Sequence, residues 1–373
     1  MKKICILSMQ RINNYGSVLQ SYSLKKILGQ LGADVHFIDI EKRSKDDNLV
    51  SNNRLEFKNE SSGTNLLSKL KKIDKFFFYR LNQKKLFKQQ IDLFDDFREN
   101  ELNIKLEDNY LDYDLCVIGS DEVFNCMSNS SWGFTTQLFG NVSQSKKVIT
   151  YAASCGATTI EDLNDSVKNA IKSAFDNISG FSARDNNTKM FITQLSDLEV
   201  NMNLDPVWVG NFEDEIQNAK VIPNLPLNYC IIYSYPNRIS SKRDIKNILD
   251  FCKKNKLEPI AIGGYQAWVK KSIICNPFEM LKIFKNAAFI ITDTFHGTIF
   301  SQKFNGKYAV LIRDSNRNKL TDLVERINAK EHVIENFSEL DKTFNVPHDS
   351  DLVSKQIEND YKDTINYLKK HIQ

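Results

Sequence analysis

A short apolar run, then a polar turn, then a helix: this unit recurs along nearly the whole chain, and the series starts over once. Residues 2–9 predict a strand, 17–31 a helix and 34–40 ("DVHFIDI") a second strand. Such a βαβ unit favours a parallel sheet with a right-handed crossover. Leu19, Leu24, Ile27, Leu28 and Leu31 mark the buried face of the helix. The pattern resumes with "YDLCVIGSDEVF" (113–124) and "KKVITYAASCG" (146–156), a helix over 161–178, "ISGFSARD" (178–185) and "VNMNLDPVWV" (200–209). A stretch containing Pro and Asn, 210–228, reads as a linker. The second series has strands at 229–235, 258–264, 288–292 and 308–312, with helices at 241–255, 277–286, 297–305, 317–328 and 351–371. The expected fold is α/β, with two Rossmann-like domains facing a cleft. The first domain spans 1–210, the second 226–330, and 331–373 forms an extension ending in a helix.

Two segments depart from the pattern. Residues 41–65 are rich in Asn, Ser, Lys and Glu without periodicity and read as a mobile loop or disordered insertion. In 66–100, Leu66, Leu70, Ile73, Phe77 and Leu81 recur at helical spacing, as do Phe87, Ile91, Phe94 and Phe97. This helical insertion has a basic stretch from Lys69 to Lys88. It reads either as a pair of helices with a solvated charged face or as a basic, aromatic surface resting on anionic lipid. A net charge of +3 gives no argument for nucleic acid as a partner. No run reaches the roughly 20 apolar residues of a membrane span. "KKICILSM" fits a first strand better than a signal peptide. Seven cysteines without a C-x-x-C pair fit buried thiols in a reducing cytoplasm, and no metal motif is present.

Several strand ends share a design in which an apolar run gives way to Gly, Ser, Asn or Asp. "NNYGSVLQ" puts Gly16 at a helix start, "IGSD" puts Ser120 and Asp121 past a strand, and "YAASCG" does the same with Ser154 and Gly156. Exposed backbone N–H groups and positive helix ends make such loops anion seats. None matches a dinucleotide or Walker fingerprint. In "TDTFHGTIFSQKF" (292–304), His296 falls just past a buried strand and Gly297 lets a ligand approach the backbone. An imidazole can donate and accept a proton within one cycle. Arg184 ends a strand beside Asp185, either as a structural ion pair or as a fork for a carboxylate or phosphate. Arg317 is a similar case, and Asp205-Pro206 reads as a structural turn in preference to a catalytic acid, since proline fixes the strand exit.

In order along 1–330, "NNYGSVLQSYSL", "DLCVIGSDEVFN", "VITYAASCG", "FSARD", "NLDPVWV", "NAAFIITDTFHGTIFSQKF" and "RDSNRNKLTDL" resemble the polysaccharide pyruvyltransferase family. The resemblance implies a fold similar to GT-B glycosyltransferases. It implies transfer of the enolpyruvyl carbons of phosphoenolpyruvate to a hexose of a capsular or exopolysaccharide repeat, closing a ketal. His296 would be the acid/base. Arg184, Asn14, Gly16, Ser120, Asp121, Ser154, Thr294, Gly297, Thr298 and Arg317 would surround the donor. Beyond the donor substrate no cofactor or metal is implied. The acceptor would be a lipid-linked or nucleotide-linked saccharide. The protein would be cytoplasmic, with 66–100 as the segment able to touch the inner face of the membrane.

Two departures stand out. Similar pyruvyltransferases carry an arginine two positions before this histidine, where Thr294 stands here, and Arg313 or Arg317 would have to compensate. "GSDEVF" replaces the family's Gln-Val-Trp after the aspartate. The alternatives are glycosyl transfer from a nucleotide-activated sugar on the same scaffold, and a glycan-binding assembly protein without turnover. The polar strand-end loops argue against the last.

Overall fold

A computed structural model describes residues 1–42, 45–49, 73–128, 130 and 132–372, with 73–83 described by their backbone. Strands β1 (Lys3–Leu7), β2 (Asp34–Phe37), β3 (Leu115–Asp121), β4 (Val148–Ala153), β5 (Ile178–Ala183) and β6 (Val200–Met202) form a parallel sheet ordered β2-β1-β3-β4-β5-β6. Strands β7 (Tyr229–Tyr233), β8 (Glu258–Ile262), β9 (Lys271–Ser272), β10 (Phe289–Thr292), β11 (Tyr308–Leu311) and β12 (Val333–Ile334) form a second, ordered β12-β11-β10-β7-β8-β9. The helices in chain order are α1 (Tyr15–Gln30), α2 (Ile73–Phe97), α3 (Asp165–Phe175), α4 (Asn186–Thr193), the single turn α5 (Pro206–Val209), α6 (Glu213–Asn218), α7 (Lys242–Lys254), α8 (Pro277–Lys285), α9 (Phe295–Phe304), α10 (Arg317–Arg326), α11 (Leu340–Phe344) and α12 (Ser350–Ile372). These are two Rossmann-like domains facing a cleft. Each sheet reverses its winding once, between β1 and β3 in the first and between β7 and β10 in the second. Ligands collect beyond the carboxyl ends of strands at such switch points.

The strands form where β-branched and aromatic side chains run together. They are buried on both faces, as parallel sheets require: β4 and β10 have no exposed residue. Short polar residues at the strand ends then start the helices. Asn14 caps α1, Asp185 caps α4, Asp205 caps α5 and Thr294 caps α9, each accepting a backbone N–H of the first turn. One apolar cluster runs from the inner face of the first sheet, through α1 and α9, to the second sheet, joining Ile6, Val18 and Trp208 to Tyr233 and Phe300. Separate clusters cover the outer faces of the two sheets.

Three expectations change. Among the described residues the insertion is one continuous helix, α2, in which Ile73 and Phe97 share an element; Leu66 and Leu70 lie outside the described residues. Most of 41–65 also lies outside them, but 45–49 forms a helical turn. There Asp46 accepts from Thr136 N and Oγ1 at 3.0 and 2.7 Å, and Asp47 from Phe134 N at 2.8 Å. The segment 331–373 is not one extension. Its β12 completes the second sheet, whereas α12 returns to the first domain, where Tyr367 donates to Thr150 O at 2.8 Å. Among the described residues no helix is long and apolar enough to cross a membrane.

Leu368 of α12 is fully buried in the shared core. Leu368→Ala is expected to destabilise the protein by about 2–5 kcal/mol, the range for truncating a buried leucine. Denaturant unfolding checks it, and a loss under about 1 kcal/mol would mean that α12 is not part of the cooperative core.

Candidate active site

The carboxyl ends of both sheets open on a cleft of about 1050 Å³. From the first domain, Asn13, Asn14, Ser17, Asp121, Glu122 and Arg184 reach it. From the second come Ser234, Tyr235, Arg238, Thr294, His296 and Lys319. The β1–α1 loop is held by Arg98, which follows α2. Its Nε donates to Gln10 O and its Nη2 to Ile12 O, both at 2.8 Å.

His296 is the second residue of α9. Its Nε2 lies 3.3 Å from Asp205 Oδ2. The same oxygen accepts from Arg184 Nη1 at 3.0 Å and Ser120 Oγ at 3.2 Å, while Oδ1 caps Val207 N at 3.0 Å. Burial by itself would push the Asp205 carboxyl up, but His296 and Arg184 outweigh it and hold the group at about 2. Arg184 is itself buried, lies 3.6 Å from Asp121 Oδ1, and stacks over the Phe295 ring at 4.0 Å. Lys303 ties the two strands of this arrangement together. It projects from α9 and donates to Val207 O at 2.8 Å and Trp208 O at 2.6 Å, at the end of the turn that Asp205 caps.

Gly16 gives the imidazole its space. A Cβ built there would stand 2.1 Å from His296 Nδ1. With Nε2 turned to Asp205, Nδ1 is the nitrogen left for another partner. Ser17 Oγ donates to Asp121 Oδ2 at 2.8 Å, fixing the first turn of α1 beside it.

On the other side Lys319 of α10 reaches across the cleft and bonds Glu122. Burial would raise the Glu122 carboxyl; Lys319 and then Arg184 outweigh it and hold it at about 2. Arg238 donates to Ser315 Oγ at 2.6 Å and stands 3.7 Å from Asp293.

Of the residues expected from the sequence, His296, Arg184, Asn14, Asp121 and Thr294 line the cleft, and Gly16 lies against the imidazole. Ser120 and Ser154 lie behind it, serving the carboxylates of Asp205 and Asp185. Gly297 and Thr298 are buried in the first turn of α9, where the Thr298 hydroxyl donates to Thr294 O. Arg317 is exposed and paired with Asp314, away from the cleft, and Arg313 bonds Asp293 at 2.5 Å. Asp205, read from the sequence as a structural turn, caps α5 and is also the partner of His296. Lys319, Glu122, Arg238 and Ser234 also line the cleft and carry no local sequence signal. Lys319 and Glu122 are 197 residues apart, so no local pattern joins them.

A sequence model of the family described as polysaccharide pyruvyl transferase matches residues 14–307. No curated protein matches the sequence. Among solved structures the chain is similar to UDP-GlcNAc 2-epimerase from Methanocaldococcus jannaschii, at 12% identity and a TM-score of 0.47, with 94% of each chain covered. It is also similar to UDP-N-acetylglucosamine 2-epimerase from Rickettsia bellii, at 13% identity and a TM-score of 0.47, covering 99% of this chain and 98% of that one. A third is UGT89C1 of Arabidopsis thaliana complexed with UDP-L-rhamnose, at 11% identity and a TM-score of 0.43, covering 98% of each chain.

Gly16→Ala should push the imidazole aside. The expected result is a fall of about 100-fold in any turnover that uses His296, with unchanged circular dichroism. Near-normal turnover would show that the ring position is immaterial.

The two depressed carboxyls set an acid limit. Asp205 and Glu122, at about 2, lie below the roughly 3.9 and 4.3 of unfolded chains. Their stabilisation is therefore complete above about pH 4 and is lost as pH falls through about 2. Each contributes at most about 1.4 kcal/mol per pH unit to the slope of unfolding free energy. Glu122→Gln should flatten that slope between about pH 4 and 2. An unchanged slope in urea titrations would remove Glu122 from the account.

Proposed function

The chain belongs to the polysaccharide pyruvyl transferase family, and on that premise we propose that it transfers the enolpyruvyl carbons of phosphoenolpyruvate to a hexose of a cell-surface polysaccharide repeat, closing a ketal across two hydroxyls. The observation that carries this reading is an imidazole at the cleft, backed by an ionised carboxylate and flanked by the N-termini of two helices, α1 and α9.

In this scheme the carboxylate and phosphate of the donor lie toward the first turn of α9 and the cations Lys319 and Arg238. Helix N-termini and basic side chains both favour anions. This supplies positive charge where Thr294 offers only a hydroxyl, already committed to capping Gly297 N at 3.0 Å. Arg184 holds Asp205 and Asp121 in place.

His296 gives a proton to the methylene carbon, which makes C2 electrophilic. A sugar hydroxyl oxygen bonds to C2 and its proton passes to the imidazole. Phosphate then leaves with the C2–O bonding pair, and a second hydroxyl oxygen bonds to C2 to close the ring as its proton passes to the departing phosphate. Asp205 orients the imidazole and lies beside the positive charge formed when it is protonated.

Lys84, Leu86 and the exposed Phe87 of α2 rim the cleft. A basic and apolar rim of this kind suits an acceptor carried on a lipid in an anionic membrane.

The test is phosphate release from phosphoenolpyruvate with galactose-containing lipid-linked acceptors. Release is expected, and His296→Ala should abolish it while preserving the fold. Lys319→Met combined with Glu122→Gln removes the buried pair without stranding a charge, and should raise the donor KM by at least about tenfold, the equivalent of one lost charge-assisted bond. Turnover of a UDP- or CMP-sugar without phosphate release from phosphoenolpyruvate would replace this reading with glycosyl transfer.

A further inference from the structure

The cleft is far larger than a three-carbon phosphoester needs, and one wall of it differs in chemistry from the anion side. Ser234 follows β7, is 3% exposed, lines the cleft and has no hydrogen-bond partner for its Oγ. Ser272 of β9 also lines the cleft, and its Oγ is likewise buried without a partner. Between them lies β8, which presents only small residues there, Ala261 and Gly263.

The register explains how these residues meet. Ile232 pairs with Ala261 and Tyr233 with Ile262, so Ser234 stands level with Gly263; Ala261 in turn pairs with Ser272. Ser234 and Ser272 thus stand on either side of a slot at the end of β8, where Ala261 and Gly263 also line the cleft, and two strand spacings with the two-residue stagger set their Cα atoms roughly 12 Å apart. Gly264 keeps the slot tight, since a Cβ there would stand 2.0 Å from Ser234 O. Tyr235, half exposed, stands beside Ser234 at the edge.

We propose that this slot is a binding subsite for one neutral pyranose ring of the acceptor. The two serines and the small residues between them carry no charge, and the two hydroxyls can each donate and accept, which matches sugar hydroxyls; at the edge the Arg238 guanidinium stands over the Tyr235 ring at 5.2 Å. An unpartnered buried hydroxyl is costly, and a ligand hydroxyl relieves it. The location fits transfer. Thr292 pairs with Tyr233, so the strand end leading to Thr294 and His296 is the immediate neighbour of Ser234. A sugar in the slot lies over β8, two strands from β10 with β7 between them. The role of that sugar as acceptor rests on the transferase reading; the slot itself does not.

Ligand-observed saturation-transfer NMR on the full chain tests the slot. The probes are methyl β-D-galactopyranoside, methyl α-D-glucopyranoside, UDP and phosphoenolpyruvate. At least one glycoside should bind the wild type. Ser234→Leu, which fills the slot, should weaken it by at least about tenfold, one to two lost hydrogen bonds, leaving phosphoenolpyruvate binding unchanged. The Ser234→Ala, Ser272→Ala pair should weaken the same glycoside in the same direction and stands in if the leucine variant does not fold. No glycoside binding, glycoside binding indifferent to both variants, or loss confined to UDP would overturn the proposal, the last in favour of a nucleotide. Glycoside binding without phosphoenolpyruvate binding would instead leave the slot intact and remove the pyruvyl-transfer reading.

Discussion

One buried carboxylate organises this molecule. Asp205 belongs to the first domain, yet its Oδ2 is shared by a guanidinium of that domain and an imidazole of the other, while Oδ1 starts a helical turn. A lone carboxylate in such a place would be strongly disfavoured, and only this many partners offset its desolvation. Domain orientation, the rotation of the imidazole and the placement of Arg184 are thus one problem with one solution. Lys303 reinforces it by joining α9 to the carbonyls of the α5 turn.

The architecture was readable because each strand is an apolar run bounded by polar punctuation, and parallel sheets demand such runs. The site was only partly readable. Short polar residues at strand ends have two fates that look identical in sequence: capping the next helix, or meeting a ligand. Asp185 went to the first fate, with Ser154 donating to its carboxylate, Asp121 faces the cleft, and Asp205 and Thr294 combine capping with a place at or beside the site. Gly16 was legible as special, but its reason is the nearness of a ring 280 residues further on, which no window reveals. The same holds for Lys319 and Glu122. Arg317 drew notice for its charge, yet its position leaves it in solvent with Asp314.

Two switch points facing each other divide the work of the cleft by strand. On the first domain, the β1 and β3 ends bring Asn14, Ser17 and Asp121 around the start of α1. On the second, β10 delivers Thr294 and His296, while β7 and β8 deliver hydroxyls and glycines. The loop after β7 delivers both the neutral Ser234 hydroxyl and the Arg238 cation, and Lys319 follows β11, so charge and neutral polarity meet along this rim. A small dianion and a polyhydroxylated partner placed side by side would each meet groups of their own kind.

Thr294 follows from the same logic. A bidentate cation at that position would stand beside Arg184, Arg238 and Lys319, while the nearby carboxylates are already engaged: Asp205 with Arg184 and His296, Asp293 with Arg313, and Glu122 with Lys319. Threonine instead caps α9 through its hydroxyl, and its carbonyl accepts from Thr298 N at 3.1 Å and Thr298 Oγ1 at 2.9 Å. It thereby fixes the turn on which His296 rides. The cations that line the cleft stand elsewhere in sequence, Arg238 bonded to Ser315 and Lys319 to Glu122. Thr294 thus sets the backbone turn that carries His296, while Asp205 and Gly16 set the place of its ring.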